Sequence, residues 1–568
     1  MINQLVTKVR SLFSNGNSRS TAVFAFGRSV ILTSVVVTGA LVGARHLGIL
    51  EGLELGGYDQ LMRSRPDQGP DNRLLVVGVT EGDIQSRKEY PLHDGTLAQL
   101  IEKLQQYQPR AIGLDILRDV PQGSPTGRIA LQKTLTESDN LIAVCKLSSA
   151  DQPGIAAAPG VPEERVGFAD LPLDPGGTLR RSLLLSTPTA PKVPAPNKHL
   201  CNIPDSENQL PSFSFQLALL YLEAMGKNPE LTPTGEMKIG STVFTRLEEK
   251  AGGYHKADVG NYQMILNYRS AKNAVKQVSL TEVLDGKIDP AWVKDRIVLI
   301  GYTAASVKDD FYTPFSGQAQ DNQKMPGVVV HAQNTSQILS AVLDHQPLMC
   351  YWSEPSEILW IWGWSLVGAI LAWRIRRLWL FGIGVGAAVV VLYGSSYLLF
   401  SGGRWVPLVP PALALVVTAG VVVLVDRGYA KAIYQGVKKV ILNIEIDEEK
   451  KQQQVAAITE SESFAELEKK AEELREKRRR DRRSGNPAES KTETNEATQA
   501  PQEAEPTQEE DYFAQLQKRG KKLRNTDSET TQTPQNSEPT EEAQEEDYFE
   551  QLQKRGKKLR NTGDESNS

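Results

Sequence analysis

Residues 97–116 of this 568-residue chain read LAQLIEKLQQYQPRAIGLDI, in which a helix pattern is followed directly by a strand pattern. Apolar side chains recur at spacings of three and four residues over Thr96–Tyr107, which predicts a helix with one buried face. These apolar positions are Leu97, Leu100, Ile101 and Leu104. The short apolar run AIGLD that follows predicts a buried strand ending at Asp115. A helix that leads into a buried strand is typical of α/β folds.

Three further β-rich runs predict more strands of the same sheet. Together with the run above, the predicted strands are Arg73–Val79 (RLLVVGV), Arg110–Ile116 (RAIGLDI), Leu141–Leu147 (LIAVCKL) and Arg296–Gly301 (RIVLIG). Because helix-like periodicity separates several of them, we predict an α/β domain whose sheet has a parallel component. Pro, Gly and polar residues are dense between Pro153 and Pro211, which predicts long loops or an inserted excursion there.

Four apolar stretches approach the roughly 20 residues that a helix needs to cross a bilayer. We predict transmembrane helices at residues 29–50, 356–373, 378–400 and 405–425. For the first stretch the alternative is a cleaved signal peptide, since a basic segment precedes its apolar core. Basic residues follow the second and fourth stretches, and such residues prefer the cytoplasmic side. We therefore expect a multi-pass plasma-membrane protein with both termini cytoplasmic, residues 1–28 included, and residues from about 51 to 355 outside.

Charge, cysteine content and motifs exclude several classes of protein. The 64 Lys and Arg residues against 69 Asp and Glu residues leave a net charge of -5, so no strong field favours nucleic acid. Three cysteines, Cys145, Cys201 and Cys350, are too few and too scattered for a disulfide framework or a zinc site. At most one disulfide could form, with Cys145–Cys201 as the candidate pair, and we do not expect it. No nucleophile elbow, HExxH motif or paired-carboxylate signature is found, so we expect no enzymatic activity, no metal and no cofactor.

Six sequence blocks carry a resemblance to a known family. They are YDQLMRSRP from Tyr58, LLVVGVTEGDI from Leu74, LAQLIEKLQQYQPRAIGLDI from Leu97, VGFADLPLDPGGTLRRSLL from Val166, RIVLIGYTAASVKDDFYTPF from Arg296 and MPGVVVHAQNTSQIL from Met325. In this order, and over most of Gly52–Leu348, they resemble the second type of CHASE domain, a bacterial extracellular sensory module associated with cyclases and histidine kinases. The resemblance implies an inner-membrane protein with an extracytoplasmic sensory domain at residues 51–350. It does not name a ligand.

Seven residues are candidates for ligand binding. The loop GYTAAS contributes Gly301, Thr303 and Ser306, whose amides and hydroxyls could receive an anion or a polar ligand if a helix starts there. The others are Asp309, Asp310, His331 after the next predicted strand, and Asp115 at a strand end, where ligands collect in open α/β sheets. The alternative is structural: the three aspartates cap turns or helices, and His331 is a satisfied polar group at a strand end. The chain also carries HDG at His93–Gly95 where the family more often has Trp-Pro-Arg.

The segment after residue 425 is predicted to be cytoplasmic. Residues 426–483 have the pattern of a helix, for which a short coiled coil and a solvated single helix are alternatives. Residues 484–568 have the composition of a disordered region and contain no output enzyme. Within them EEDYFAQLQKRGKKLRNT (509–526) recurs as EEDYFEQLQKRGKKLRNT (545–562), which predicts two docking motifs unless the repeat is only a recent duplication. The predicted docking residues are Tyr512, Phe513, Leu516, Tyr548, Phe549 and Leu552.

These observations favour a receptor-like protein that senses an extracytoplasmic signal and recruits a separate cytoplasmic signalling partner. The alternative is a membrane scaffold that does not sense and that tethers a cytoplasmic assembly through the same repeats. We expect membrane lipid, an unidentified outer ligand and a cytoplasmic signalling or scaffold protein as partners, with a homodimer as a further option. A ligand-dependent change in the outer domain would separate the two hypotheses.

Overall fold

A computed structural model of the protein describes residues 19–193, 197–204, 209–317, 324–426 and 469–476. Its helices are α1 (Arg19–His46), α2 (Glu51–Ser64), α3 (Glu81–Arg87), α4 (Asp94–Gln105), α5 (Pro125–Glu137), α6 (Phe213–Glu223), α7 (Leu280–Leu284), α8 (Gly327–Leu343), α9 (Glu354–Arg374), α10 (Leu378–Ser401) and α11 (Val409–Asp426). Its longer strands are β1 (Leu74–Val79), β2 (Ala111–Asp115), β3 (Leu141–Cys145), β4 (Val166–Phe168), β5 (Arg181–Ser186), β10 (Tyr262–Ile265), β11 (Lys276–Ser279) and β12 (Ile297–Tyr302). The short strands are β6 (Leu210–Pro211), β7 (Pro229–Leu231), β8 (Met237–Ile239), β9 (Thr242–Phe244), β13 (Asp310–Phe311), β14 (Met325–Pro326), β15 (Cys350–Tyr351) and β16 (Arg404–Trp405).

The domain predicted to lie outside the membrane, residues 51–350, is called the outer domain below. Its centre is a six-stranded sheet in the order β11-β1-β12-β2-β3-β4. All five strand pairs in it are parallel. β1 pairs with β12 along its whole length, from Leu74 opposite Ile297 to Val79 opposite Tyr302. The four predicted strands correspond to β1, β2, β3 and β12, so the predicted α/β sheet with a parallel component is confirmed.

Helices cover both faces of this sheet, which is why β1, β3 and β12 are buried along their whole length, whereas the edge strand β11 is partly exposed. Side chains of β1 alternate between the two layers: Leu74 and Val76 pack in the layer that contains α6 and α8. Leu75 and Val77 pack in the layer that contains α4 and α5. All four predicted apolar positions of α4 are buried in that second layer, which confirms the predicted helix.

One predicted strand is a helix instead. Val328–Val330, expected as the strand before His331, forms the first turn of α8. Nearly every residue of α8 is buried, and the helix lies on the sheet beside α6. Packing of this kind outweighs the low helix propensity of β-branched residues, which amounts to only a few tenths of a kcal/mol, roughly, per residue. His331 therefore lies within a buried helix and not at a strand end.

Two helices, α9 and α10, are long and apolar enough to cross a membrane, judged by length and composition among the described residues. The number rises to three if residues 30–46 and α2, which meet at a bend of 92°, count as one broken span. The apolar part of α11 is shorter. Arg404–Trp405 pairs with Cys350–Tyr351 as a strand, and α11 begins only at Val409. The helix therefore starts four residues later than the predicted fourth span, which began at residue 405. Four spans thus stay a prediction.

The cytoplasmic predictions fall almost wholly outside the described residues. Of the 426–483 segment, 469–476 form a helical stretch in which Leu474 is 64% exposed. The 484–568 segment, its two repeats and the six docking residues lie outside the described part of the chain.

The region between Pro153 and Pro211 is mainly loops, as predicted, but it also supplies the edge strand β4 and the strand β5. A disulfide between Cys145 on β3 and Cys201 ties this region to the sheet. The expectation that this pair would stay reduced is therefore wrong. Spacing along the chain could not reveal the pairing, because the 56-residue separation is closed only by the fold. Cys350 is a free, exposed thiol.

Replacement of Cys201 by Ser is expected to lower the free energy of unfolding of the outer domain by ~2–4 kcal/mol, because the disulfide closes a long loop in the unfolded chain. Denaturant unfolding of the purified full chain, followed by tryptophan fluorescence, measures this change. The matched control is Cys350→Ser, which removes the exposed thiol and is expected to leave the midpoint unchanged. Equal midpoints for wild type and Cys201→Ser would contradict the assignment.

Candidate ligand site at the carboxyl edge of the sheet

A cleft of about 370 Å³ lies at the edge of the sheet where β2, β3, β4 and β12 end. We call it the carboxyl-edge cleft. From the strand ends it is lined by Asp115, Val144, Ala169 and Tyr302, and from α8 by His331. Open α/β sheets bind ligands outside the carboxyl ends of their strands, because backbone groups and loops converge there. The position alone therefore makes this cleft the candidate site.

Asp115 is the last residue of β2 and lies opposite Gly301 of β12. Its side chain is only 8% exposed and faces the cleft. Burial raises the pKa of Asp115 to about 7, because a carboxylate loses its hydration there without a cation beside it. The group therefore changes its charge in the neutral pH range, which is unusual for an aspartate and is common at functional sites.

His331 is held from both sides. Its Nδ1 lies 2.8 Å from the hydroxyl of Ser214, and its Nε2 lies 4.0 Å from Oδ1 of Asp115. The ring also packs edge-on against Phe213, with the ring centroids 5.2 Å apart. Burial lowers the pKa of His331 to about 4, so the imidazole is neutral at pH 7. The structural alternative is therefore supported for His331, since the ring has hydrogen bonds with the hydroxyl of Ser214 and with the backbone of Ala169.

Asp309 completes the group that the sequence predicted and the fold brings together. Its backbone carbonyl accepts a hydrogen bond of 2.9 Å from the amide of Gly327, the first residue of α8. A Cβ at position 327 would lie 3.0 Å from the Asp309 carboxylate, so glycine permits this close approach. Burial, and then the neighbouring Asp115, raise the pKa of Asp309 to about 6. Two aspartates with raised pKa values therefore share one cleft with a neutral histidine.

The other four predicted ligand residues lie elsewhere. Gly301 packs under Val328, and Thr303 packs against Gly78. The amide of Ser306 donates to Glu81 at 2.7 Å, and the carboxylate of Asp310 accepts from Lys324 at 3.3 Å. In the GYTAAS loop only a three-residue 3-10 turn forms, at Ala305–Val307. The condition for an anion site there, a helix beginning in the loop, is not met.

Three residues of this region carried no site prediction. Arg118 lines the cleft and is buried, and its guanidinium donates to the carbonyl of Leu92 at 2.5 Å. The charge of Asp170 lies close enough to His331 to act on its pKa, in the upward direction. Burial raises the pKa of Asp170 itself. Tyr302 accepts a hydrogen bond of 3.0 Å from the amide of Leu92. Arg118 lies three residues after β2, Asp170 two residues after β4 and Tyr302 at the end of β12. Such positions share one sheet edge, and this was the available signal.

The segment His93–Gly95, where the chain has HDG in place of the family's more frequent Trp-Pro-Arg, lies beside the cleft. Asp94 accepts a hydrogen bond of 3.0 Å from the amide of Gln122, and its other oxygen lies 3.8 Å from Nε of Arg118. His93 precedes the first residue of α4 and gives no side-chain cap. Asp94 therefore holds the loop after β2, which forms part of the cleft wall.

Asp115→Asn should make stability depend less on pH. Because the folded pKa of Asp115 lies above its ordinary value of 3.8, its contribution to stability is complete below pH 3.8 and is lost as the pH rises through about 7. We expect the melting temperature of Asp115→Asn, relative to wild type, to rise between pH 5 and pH 8. Between pH 5 and pH 8 the change corresponds to at most about 3 kcal/mol, because about two pKa units separate pH 5 from the folded pKa at 1.36 kcal/mol per unit.

Thermal unfolding of the purified full chain at both pH values makes the measurement. Asp310→Asn, which alters a carboxylate outside the cleft, is the control and should lack this gain. A wild-type-to-variant difference that is the same at pH 5 and pH 8 would contradict the assignment.

Comparison with known proteins matches residues 35–370 of the chain to the CHASE2 domain family. No curated protein and no solved structure matches. The match spans more than half of the chain and contains the whole parallel sheet and the carboxyl-edge cleft. It confirms the resemblance that the six sequence blocks carried. The chain belongs to the CHASE2 domain family, a family of sensory domains.

Proposed function

We propose that this protein is a membrane-anchored sensor whose outer domain binds a small ligand in the carboxyl-edge cleft, and that it acts by binding and not by catalysis. The observation that carries the proposal is the grouping of Asp115, Asp309 and His331 in that cleft. Buried ionisable groups cost stability unless something compensates them, so their presence in a cleft points to a function. Membership in a sensory family supports the same conclusion.

The chemistry of the cleft favours a ligand with a cationic or hydrogen-bond-donating group. Burial penalises the charged forms of Asp115 and Asp309 and raises their pKa values to about 7 and about 6. A bound ammonium group would remove that penalty and would bind most strongly to the ionised carboxylates. A small primary amine is therefore the ligand class that best fits the two aspartates.

The proposed topology has four membrane spans, with both termini in the cytoplasm and the outer domain exported. The candidate spans α9 and α10 support it, as do the basic residues Arg374, Arg376 and Arg377 that join them, since basic loops prefer the cytoplasm. The disulfide of the outer domain is consistent with export, because such bonds persist in oxidising compartments.

Coupling from the cleft domain to the membrane helices would run through α2. The carboxylate of Glu54 accepts hydrogen bonds of 2.8 Å from the amides of Leu408 and Val409, at the start of α11. The ring of Tyr58 lies edge-on to Trp405, with the centroids 4.8 Å apart. Through these contacts a displacement of α2 would move α11, the last apolar helix before the predicted cytoplasmic tail.

On its other side α2 is bound to the outer domain by ion pairs. Asp59 binds the guanidinium of Arg180 through two contacts of 2.7 Å. Arg180 also donates to Asp174 at 2.7 Å, and Asp174 accepts from Arg181 at 2.9 Å. Loss of one partner from such a buried network is costly, because the remaining charge is left without compensation. The network makes α2 a rigid part of the outer domain.

Ligand binding can be tested with small primary amines, each paired with the alcohol of the same shape; ethanolamine with ethylene glycol is one pair. We expect one or more amines to raise the melting temperature of the full chain, because a ligand that binds only the folded state stabilises it. The alcohols should not, and Asp115→Asn with Asp309→Asn should abolish the shift.

Asp310→Asn is the matched control and should keep the full response. Equal shifts with an amine and its paired alcohol, or shifts that survive in the double variant, would refute a cationic ligand at this cleft.

The repeats at 509–526 and 545–562 are proposed to recruit a separate cytoplasmic signalling protein. Capture with the full chain in nanodiscs is compared with a chain carrying Phe513→Ala, Leu516→Ala, Phe549→Ala and Leu552→Ala. A kinase, cyclase or response-type protein retained by wild type and lost from the variant is the expected result. An envelope or division assembly in its place would favour the scaffold alternative, and identical captures would refute docking through the repeats.

A further inference from the structure

A second cavity, of about 580 Å³, lies between the outer domain and the outer ends of α1 and α9. We call it the membrane-boundary cavity. From α1 it is lined by Arg45 and His46, and from α9 by Glu354, Glu357 and Ile358. Because α9 is a candidate membrane span, this cavity lies where the span emerges from the membrane. It shares no lining residue with the carboxyl-edge cleft.

Glu357 lines this cavity and has one carboxylate oxygen that lacks a hydrogen-bond partner among the described residues. Its side chain is 3% exposed, and Oε2 binds the guanidinium of Arg45 at 2.5 Å. Oε1 is buried and has no hydrogen-bond partner among the described residues. Arg45 is committed elsewhere too, since it donates to the carbonyl of Gly252. A buried acceptor without a partner is costly, and a donor from a bound molecule would remove that cost.

The remaining lining has two chemical characters. One part is apolar and includes Val42, Leu348, Met349, Trp352 and Ile358. Another part carries the charged or titratable side chains of Glu248, Lys250 and His255. A cavity lined in this way fits a molecule that has both a polar head and an apolar body.

The surroundings indicate that the apolar body comes from a membrane. Leu47 and Ile49, in the turn between α1 and α2, are 74% and 66% exposed. Exposed large apolar side chains next to a membrane span are typical of contact with lipid. Trp352, two residues before α9 begins, adds an aromatic residue of the kind that is common at the headgroup level.

We propose that the membrane-boundary cavity binds the headgroup of an aminophospholipid from the outer face of the membrane. The ammonium group would donate to Oε1 of Glu357, and the phosphate would bind Lys250 and His255. The acyl chains would leave along Val42 and Ile358. A cavity of this size lies within the roughly 300–1,000 Å³ range of ligand sites. The site would make the outer domain responsive to membrane composition, independently of the carboxyl-edge cleft.

Native mass spectrometry of the delipidated full chain tests this proposal. The chain is incubated with phosphatidylethanolamine, phosphatidylcholine or phosphatidylglycerol of the same acyl composition. We expect retention of one phosphatidylethanolamine and at least tenfold less phosphatidylcholine, whose headgroup has no N–H donor. Glu357→Gln should reduce the retention about tenfold, because it removes the charge that holds the ammonium group. The control is Glu230→Gln, which alters an exposed carboxylate on β7 that does not line the cavity.

A second variant covers the case in which Glu357→Gln fails to fold. Val243→Trp places a large side chain at the exposed wall of the cavity and should also remove the bound lipid. Equal retention of phosphatidylethanolamine and phosphatidylcholine would overturn the proposal, as would retention that Val243→Trp leaves unchanged. Preference for phosphatidylglycerol would overturn the role of the ammonium group. Glycerophosphoethanolamine without acyl chains should fail to compete; effective competition would assign the site to a soluble headgroup and overturn the lipid.

Discussion

A parallel sheet covered by helices on both faces has little room for polar side chains except where its strands end. In this protein the constraint is severe, since both layers are continuous and β1 is buried along its whole length. At the carboxyl edge the polar side chains include Asp115, the last residue of β2, and Asp309 in the segment after β12. α8 lies on the sheet and brings His331 to the same edge. The candidate ligand site follows from how the sheet is covered.

Two groups of buried charges in the outer domain differ in whether they are paired. Asp59, Asp174 and Arg180 form a closed network in which each carboxylate has a cation within 2.9 Å. Their electrostatic cost is met inside the protein, so the network is structural. Among the described residues, the ion-pair contact of Asp115 is with the neutral His331 at 4.0 Å, and burial raises the pKa of Asp115 to about 7. The cost of burying this carboxyl is not offset by a cation, and the group lines a cleft that a ligand can enter. For this reason we assign the binding role to Asp115.

The outer domain and the apolar helices are built as one packed unit. α2 is bound to the domain by Asp59 and Arg180, while Glu54 holds the start of α11. Between the apolar helices, Ser365 of α9 lies 2.7 Å from Thr418 of α11, and Gly368 leaves no space for a side chain against Leu415. Small and hydroxyl residues at such contacts allow close helix packing, so a movement of α2 has a rigid route toward the last helix.

The sequence by itself determined four strands of the central sheet, the amphipathic helix α4, the apolar segments and the sensory family. Each of these depends on local periodicity or on a run of residues that is read directly along the chain. Asp115 could be predicted as a site residue because its position at a strand end is a local property. Arg118 and Asp170 were within reach of the same argument, but nothing in the local pattern distinguished them from loop residues.

Only the tertiary structure decided which distant residues meet. It paired Cys145 with Cys201, turned Val328–Val330 into a helix and joined Asp115, Asp309 and His331 while leaving Asp310 with Lys324. It also buried Glu357 beside Arg45, more than 300 residues away. These outcomes depend on long-range packing and on the loss of hydration around buried groups. Neither quantity is defined until the chain has folded, and this is why the sequence pattern could not supply them.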